Sequence, residues 1–396
     1  KEYTWRKTKP ILTQARLDHF YMSESLEQTL RSAAIIHGYK SDHSAINIEL
    51  EFYDKNEKGK GYWKINASIF EDSTYTELLN KNISQWRSEA NEAELDKRMT
   101  WDFIKYKIRQ ASIKFCKEKK HKMSEKERLL TERIESMENN LSEEDVASYE
   151  SSKYELNSIR NYYEEGLILR SKAKWHEEGE RSTKYFLNLL NRNRKKMEIN
   201  SVKIGNERIR DPKKVRKEIY NFYKNLYTDR QRDDPNVRTK TRDFLRDINL
   251  PLVSEAEKNK MDKPLTRLEF KVALDSLNDS TPGNDGLTVG FYKTFWNILA
   301  CDLTESHRES LEKGQLTESQ RQAVIILLEK KDKSKELIKN LRPISLLNID
   351  YKILTKALAN RVEPLMPNLI NPIQTAYIKR RNINDNIRLI DDIMQI

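Results

Sequence analysis

Leu341-Arg-Pro-Ile-Ser-Leu-Leu-Asn348 lies in the stretch that decides the fold, Thr266 to Arg381. At the start of that stretch Thr266 and Glu269 have capping-box spacing, in which the hydroxyl takes an orphan amide at a helix start and the carboxylate reaches back. Phe270, Ala273, Leu274 and Leu277 then recur at helical spacing and predict one buried stripe. Pro282-Gly283 and Asp285-Gly286 are turn dipeptides that stop this helix and re-aim the chain. Phe291, Phe295, Ile298 and Leu299 predict a second amphipathic helix. The run Ala323 to Leu328 is short, continuous and rich in β-branched residues, which predicts a fully buried strand. It ends in Glu329-Lys330-Lys331, so cations emerge where the strand leaves the core. Pro343 holds its neighbour Arg342 extended, beside those lysines. Two or three fixed cations around one spot suit a triphosphate, whose oxygens accept forked hydrogen bonds. Past Asn348, the residues Ile353, Leu354, Ala357, Leu358 and Val362 predict a helix stopped near Pro364 and Pro367, and Ile383, Ile387, Ile390 and Met394 begin another.

Toward the amino terminus, Ala45-Ile-Asn-Ile-Glu-Leu-Glu-Phe52 alternates apolar and polar residues, the plainest strand signal in the chain. Ser41-Asp-His43 stands immediately before it, and Tyr3-Thr-Trp5 and Ala15-Arg-Leu-Asp-His-Phe20 lie upstream. From Asp54 to Gly61 the composition shifts to Lys, Asp, Glu and Gly, which predicts a linker. Between Trp101 and Leu190 long helical patterns run almost without Gly or Pro, and Asn139-Asn-Leu-Ser142 suggests a turn between two of them. A helical hairpin or a pair of long helices, heavily charged on the outer faces, fits best. Lys184, Tyr185, Arg192, Arg194, Lys195 and Lys196 then interleave cations with an aromatic ring, a pattern that holds phosphates and stacks bases of single-stranded nucleic acid. Ile219, Phe222, Tyr223, Leu226 and Tyr227 form a stripe expected in the core, and Asp229 to Thr241 reads as a loop or hinge.

Seventy-three Lys and Arg against 62 Asp and Glu give a net charge of +11, a field that attracts polyanions before any specific contact forms. No apolar run is long enough to span a bilayer and no amino-terminal signal pattern is visible, so a membrane partner falls away in favour of nucleic acid. Cys116 and Cys301 are far apart and have no metal-ligand spacing, which fits a reducing compartment without structural zinc. The chain starts at Lys1 and stops inside a helical pattern, and is expected to be a piece of a longer polypeptide.

Any one of these short patterns recurs by chance; their joint order resembles the LINE-type non-LTR retrotransposon reverse transcriptases. The carboxy-terminal stretch resembles the fingers and first palm elements. There the family's triphosphate-gripping Lys and Arg match Lys330 and Arg342, although Glu329, Lys331 and Asp332 stand where the family commonly has Pro and Pro-Gly. Gln374-Thr-Ala-Tyr-Ile-Lys-Arg-Arg381 is similar to a run near template and nucleotide, which makes Gln374, Tyr377 and Arg381 candidate contacts; the family usually has Gly where Ala376 and Arg380 stand. The first fifty residues resemble the last strands of an apurinic-type endonuclease/exonuclease/phosphatase domain. By that match His43 is the catalytic histidine, Asp18 the carboxylate that orients it and Asp42 a carboxylate beside metal and water, with Thr4 and Ser41 supporting phosphate and loop geometry.

The resemblance implies a helix-rich α+β chain: a short β remnant of an endonuclease sheet, a long helical linker, and partial right-hand polymerase fingers and palm. Its expected divisions are residues 1–54 for the endonuclease tail, 55–98 linker, 99–200 long helical region, 201–264 amino-terminal extension and 265–396 fingers and start of the palm. It further implies target-primed reverse transcription with Mg2+ and dNTP, an RNA template and target DNA as partners, no obligate protein partner, and a ribonucleoprotein of nucleus and cytoplasm. The family's palm aspartates are not matched before Ile396, Asp391-Asp392 sits in a helical pattern, and no complete metal set is expected, so the piece alone is expected to be inactive. Two other readings remain open at this point: a nucleic-acid-binding adaptor that kept the basic helices, and a phosphodiesterase of lipid or small phosphate esters.

Overall fold

The computed structural model describes residues 3–7, 13–36, 41–51, 62–139, 145–171, 199–228, 235–246 and 251–395. Along the chain the elements are strands β1 (Trp5–Lys7) and β2 (Thr13–Ala15), helix α1 (Glu24–Glu27), strands β3 (Leu30–Ile36) and β4 (Ala45–Leu50), and helices α2 (Ser73–Glu92), α3 (Lys97–Asn139) and α4 (Val146–Ser171). Then come strands β5 (Val202–Ile204) and β6 (Glu207–Ile209), and helices α5 (Pro212–Tyr227), α6 (Pro235–Arg246), α7 (Glu255–Met261), α8 (Arg267–Asp275), α9 (Val289–Thr294) and α10 (Trp296–Glu312). Strands β7 (Ala323–Glu329) and β8 (Leu341–Leu347) and helices α11 (Ile349–Val362), α12 (Met366–Leu369) and α13 (Ile383–Met394) complete the set. Every sheet among the described residues is a two-stranded antiparallel pair, so the protein is α+β and rich in helix, as expected. No helix among them is long and apolar enough to cross a membrane.

The chain divides into two compact units, Lys1–Lys60 with Lys114–Glu198, and Gly61–Ile113 with Ile199–Ile396. In the first, β1 pairs with β2 and β3 with β4, and Trp5 bridges to His43. The later part of α3 packs on α4 through Leu130, Ile134, Tyr149, Leu156 and Ile159, the helical hairpin that the pattern predicts. Residues 140–144, where its turn is expected, lie outside the described residues.

In the second unit α2 and the first part of α3 belong with the elements from β5 onward. Within residues 62–98, part of the expected linker, Ile65, Ile69, Tyr75, Leu79, Ile83 and Trp86 are buried. Their apolar spacing buries one face of α2, while Phe70 meets Phe295 edge-on at 5.9 Å. The capping box at Thr266 and Glu269 forms with both bonds present. Arg361 of α11 adds a forked grip on that same Glu269 at 2.6 and 2.9 Å, which joins α11 to the start of α8.

Four expectations are corrected. The helix expected across Phe291 to Leu299 is broken at Phe295, whose ψ of 18° leaves the helical range between α9 and α10. Strand β7 forms where the apolar run predicts it, but Ile325 and Ile326 are 47% and 37% exposed, because a lone two-stranded ribbon leaves much of its faces open. Only Tyr223 of the stripe on α5 is buried; Leu226 and Tyr227 are exposed, since the helix packs one narrow face on Val202, Ile338 and Leu327. Of residues 229–241, read as a loop or hinge, 229–234 lie outside the described residues and 235–241 open helix α6.

The second unit closes over a buried charge cluster. Lys105 Nζ, 3% exposed, donates to Asp350 Oδ2 at 2.7 Å and to Ser319 Oγ, and lies 3.4 Å from Asp102 Oδ1 and 3.7 Å from Asp285 Oδ2. Trp101 Nε1 and Gln320 Nε2 also donate to Asp350 Oδ2, at 2.8 and 3.0 Å, and His307 Nε2 donates to the Asp350 carbonyl at 3.1 Å. Burial raises both buried carboxyls, but Lys105 and its direct hydrogen bond outweigh that in Asp350 and hold it below the usual range. Asp285 lies farther from the ammonium, and burial leaves it pushed up to about 7. Burial also pushes His307 down to about 4.

These two shifts act on stability with opposite signs. Across pH 5 to 6.5 folded Asp285 keeps a proton that the unfolded chain has released, so its contribution is lost as pH rises; folded His307 lacks a proton that the unfolded chain binds, so its contribution grows. Relative to the unmodified chain, Asp285→Asn should make stability climb with pH over this window and His307→Gln should make it fall, each by up to about 1.4 kcal/mol per pH unit. Amide hydrogen exchange in α8 and α10 at several pH values checks this; equal slopes in all three proteins would refute it.

Candidate functional site

The segments carrying Asp18 and His43 are brought together by short polar side chains. Thr4, fully buried at the start of β1, accepts the backbone N–H groups of Leu17 and Asp18 at 2.9 and 3.0 Å. The Arg6 N–H donates to Asp42 O at 2.9 Å and the Ser44 N–H to Thr4 O at 2.6 Å, which lays the 41–44 loop along β1. Ser41 Oγ accepts the His43 N–H at 3.1 Å and donates to Asp42 Oδ1 at 3.2 Å, while Trp5 Nε1 donates to Asp42 Oδ2 at 2.8 Å. Thr4 and Ser41 are thus loop-holding residues in this geometry.

These constraints set His43 Nδ1 2.9 Å from Asp18 Oδ2, although 25 positions separate the two residues. The hydrogen bond to His43, then one to Thr4, pulls the Asp18 carboxyl below its ordinary range, so it accepts and Nδ1 carries the proton. His43 Nε2 makes no hydrogen bond among the described residues. Both side chains line an open cleft of about 500 Å³ with Leu17, His19, Ser41 and Ile46. Asp42 also lies below the ordinary range, first because of the Trp5 hydrogen bond. Both carboxylates of the predicted set are therefore anionic at neutral pH, but Asp42 spends its oxygens on Trp5 and Ser41.

The β7–β8 register sets Arg342 opposite Leu328. Lys330 continues the ladder, its N–H donating to Asn340 O at 3.0 Å, so Lys330 and Arg342 are diagonal neighbours on one face at one end of the ribbon. The exposed Arg342 guanidinium makes no hydrogen bond among the described residues, whereas Lys330 Nζ donates to Lys339 O at 2.8 Å. Tyr223 of α5 donates to Leu341 O at 3.2 Å, pinning the strand next to Arg342.

Gln374, Tyr377 and Arg381 share one turn-rich segment, and no hydrogen bond or ion pair joins them to Lys330 or Arg342 among the described residues. Arg381 donates to the carbonyls of Asn371, Gln374, Pro367 and Ile370 at 2.7 to 2.9 Å, which leaves only Nε for any other acceptor. Gln374 Nε2 donates to Ala376 O at 3.3 Å, and Tyr377 is fully exposed with φ 64°. Arg380 has φ 69°, in the left-handed region that favours glycine. Asp391 and Asp392 lie within α13, as the helical pattern predicts. Lys184, Tyr185, Arg192, Arg194, Lys195 and Lys196 lie outside the described residues. No group of three or more His, Cys, Asp or Glu among the described residues is arranged to hold a metal ion.

No family model matches the chain. Over 391 residues, 97% of its length, it is 30% identical to the Transposon TX1 uncharacterized 149 kDa protein of Xenopus laevis. The chain is a relative of a transposon protein. It spans 29% of that protein's length.

The two arginines make a clean contrast. Arg342→Ala should change stability by less than about 0.5 kcal/mol, as for a surface residue. Arg381→Ala should cost on the order of 1 kcal/mol by freeing four carbonyls, seen as faster amide exchange across residues 367–381. The reverse ranking would show that Arg342 is held by contacts of its own.

Proposed function

We propose that the chain is part of a retrotransposon protein that nicks target DNA and copies an RNA template from the freed hydroxyl. The observation that carries this reading is the His43–Asp18 pair, held at 2.9 Å in an open cleft by a buried threonine and a serine turn. Cleavage of a phosphodiester needs a group that takes or gives a proton beside the attacked phosphorus. His43 is suited to that work: Asp18 fixes its ring and tautomer, and Nε2 is the atom left to exchange a proton. Mg2+, when bound, would supply charge neutralisation to such chemistry.

The polymerase half of the proposal rests on the ribbon end. Lys330 and Arg342 present two positive charges on one face, and Arg342 keeps its guanidinium free for a forked contact to a dNTP phosphate. A net charge of +11 favours the RNA template and target DNA as partners, and action on chromosomal DNA implies a particle of nucleus and cytoplasm. Gln374, Tyr377 and Arg381 are proposed near the template, with Arg381 acting by shaping the loop that carries the other two.

In a transposon-length protein carrying this sequence, His43→Ala should abolish nicking of supercoiled DNA while extension from a pre-nicked primer survives. Arg342→Ala should raise the dNTP concentration needed for extension about tenfold or more and leave nicking intact. Equal loss of both activities in either variant would contradict the assignment.

A further inference from the structure

The loop that carries His43 is gripped from behind by the helical hairpin. Arg6 is the centre of that grip. Its backbone N–H donates to Asp42 O at 2.9 Å, and its Nη1 donates to Ser44 Oγ at 3.3 Å, so one residue holds both neighbours of His43. Its Nη2 lies 2.8 Å from Glu138 Oε2 on α3, with the two side chains only 6% and 2% exposed. Tyr149 of α4 donates its hydroxyl to Glu138 Oε1 at 3.0 Å. Lys153, one turn further on, donates to Ser41 O at 2.9 Å, and Ser41 in turn receives the His43 N–H. Backbone on both sides of His43 is thereby tied to α3 and α4.

A buried Arg–Glu pair is a poor way to gain stability, because the loss of hydration offsets most of the attraction. The hairpin does not depend on it, since Leu130, Ile134, Leu156 and Ile159 already give α3 and α4 an apolar seam. What the pair specifies is where β1 and the 41–44 loop sit on the helices. We infer that Glu138, Tyr149 and Lys153 are positioning residues for His43, which makes the helical hairpin a working part of the nuclease cleft and not a spacer. The inference rests on the nuclease reading of that cleft.

The test follows the His43 imidazole by NMR in the full chain, together with amide exchange. In the unmodified protein the Nδ1 proton should be visible and slow to exchange, held by Asp18. Lys153→Met and Tyr149→Phe should speed exchange at residues 42–44 about fivefold, the effect of one lost net hydrogen bond, and broaden the Nδ1–H signal, while residues 146–160 exchange as before. Glu138→Gln, which leaves Arg6 without its charge partner, should do the same more strongly. A role confined to holding the helices together would loosen α4 and leave the His43 ring signal unchanged. Unaltered His43 signals in all three variants overturn the inference. A missing Asp18-held proton in the unmodified chain would instead remove the nuclease reading, and this inference with it.

Discussion

The ammonium of Lys105, almost wholly withdrawn from water, is the point on which the second unit depends. Around it meet Trp101 and Asp102 of α3, Asp285 of the 282–286 turn, Ser319 and Gln320, and Asp350 of α11, with His307 of α10 on the Asp350 carbonyl. Four stretches of the sequence share one charge, and His307 holds the backbone of one of them. Magnitudes show why this pair outranks the many others. Exposed pairs such as Arg128 with Glu125 are screened by water, whereas breaking a buried pair by removing one partner costs about 3–5 kcal/mol. Asp350 answers the charge directly, and Asp285 is relieved of its own by burial.

From this cluster the constraint passes to the β7–β8 ribbon. Asn348 donates to Ser319 O at 2.9 Å and accepts the Asp285 N–H at 3.3 Å, fixing the carboxy-terminal end of β8 to the turn. The turn admits this only because Gly283 is a glycine: a Cβ there would sit 2.1 Å from Asn348 Oδ1. Gly286 combines φ +74° with the Trp63 ring pressed over it, so a side chain would be both strained and obstructed. Arg342, on the same strand as this anchor, inherits a fixed backbone and a free guanidinium. In the other unit a comparable logic holds His43, with short-range turns giving the loop its shape and buried Arg6 giving it its place.

What was legible in the sequence was local. The capping box at Thr266, the turn dipeptides at 282–286, the alternation from Ala45 and the long helices all form close to where their spacing puts them. The Asp18 and His43 pairing was legible only through resemblance, since nothing in a 25-residue gap reports a 2.9 Å contact. Lys105 was not legible, because a lysine on a helix crowded with charges reads as solvated. Asp350, in the first turn of α11, reads as a favourable helix-start acid and conceals a partner 245 residues away. The burial of Ile65 to Trp86 is not legible because the surfaces that cover it come from later in the chain, with Tyr75 bonded to Ser112 of α3 and Phe70 against Phe291 of α9. The exposure of β7 was missed for the opposite reason: an apolar run shows what a strand can bury, not whether a second layer covers it.

A double-mutant cycle between Lys105→Met and Asp350→Asn, read as the free energy of amide exchange in α8 and α10, tests this dependence most directly. The account predicts a coupling of about 2–3 kcal/mol, at the upper end for residues in one network, with the double variant less damaged than the sum of the two. Losses that add to within about 0.5 kcal/mol would show that the two groups act independently and that the unit is held together by something else.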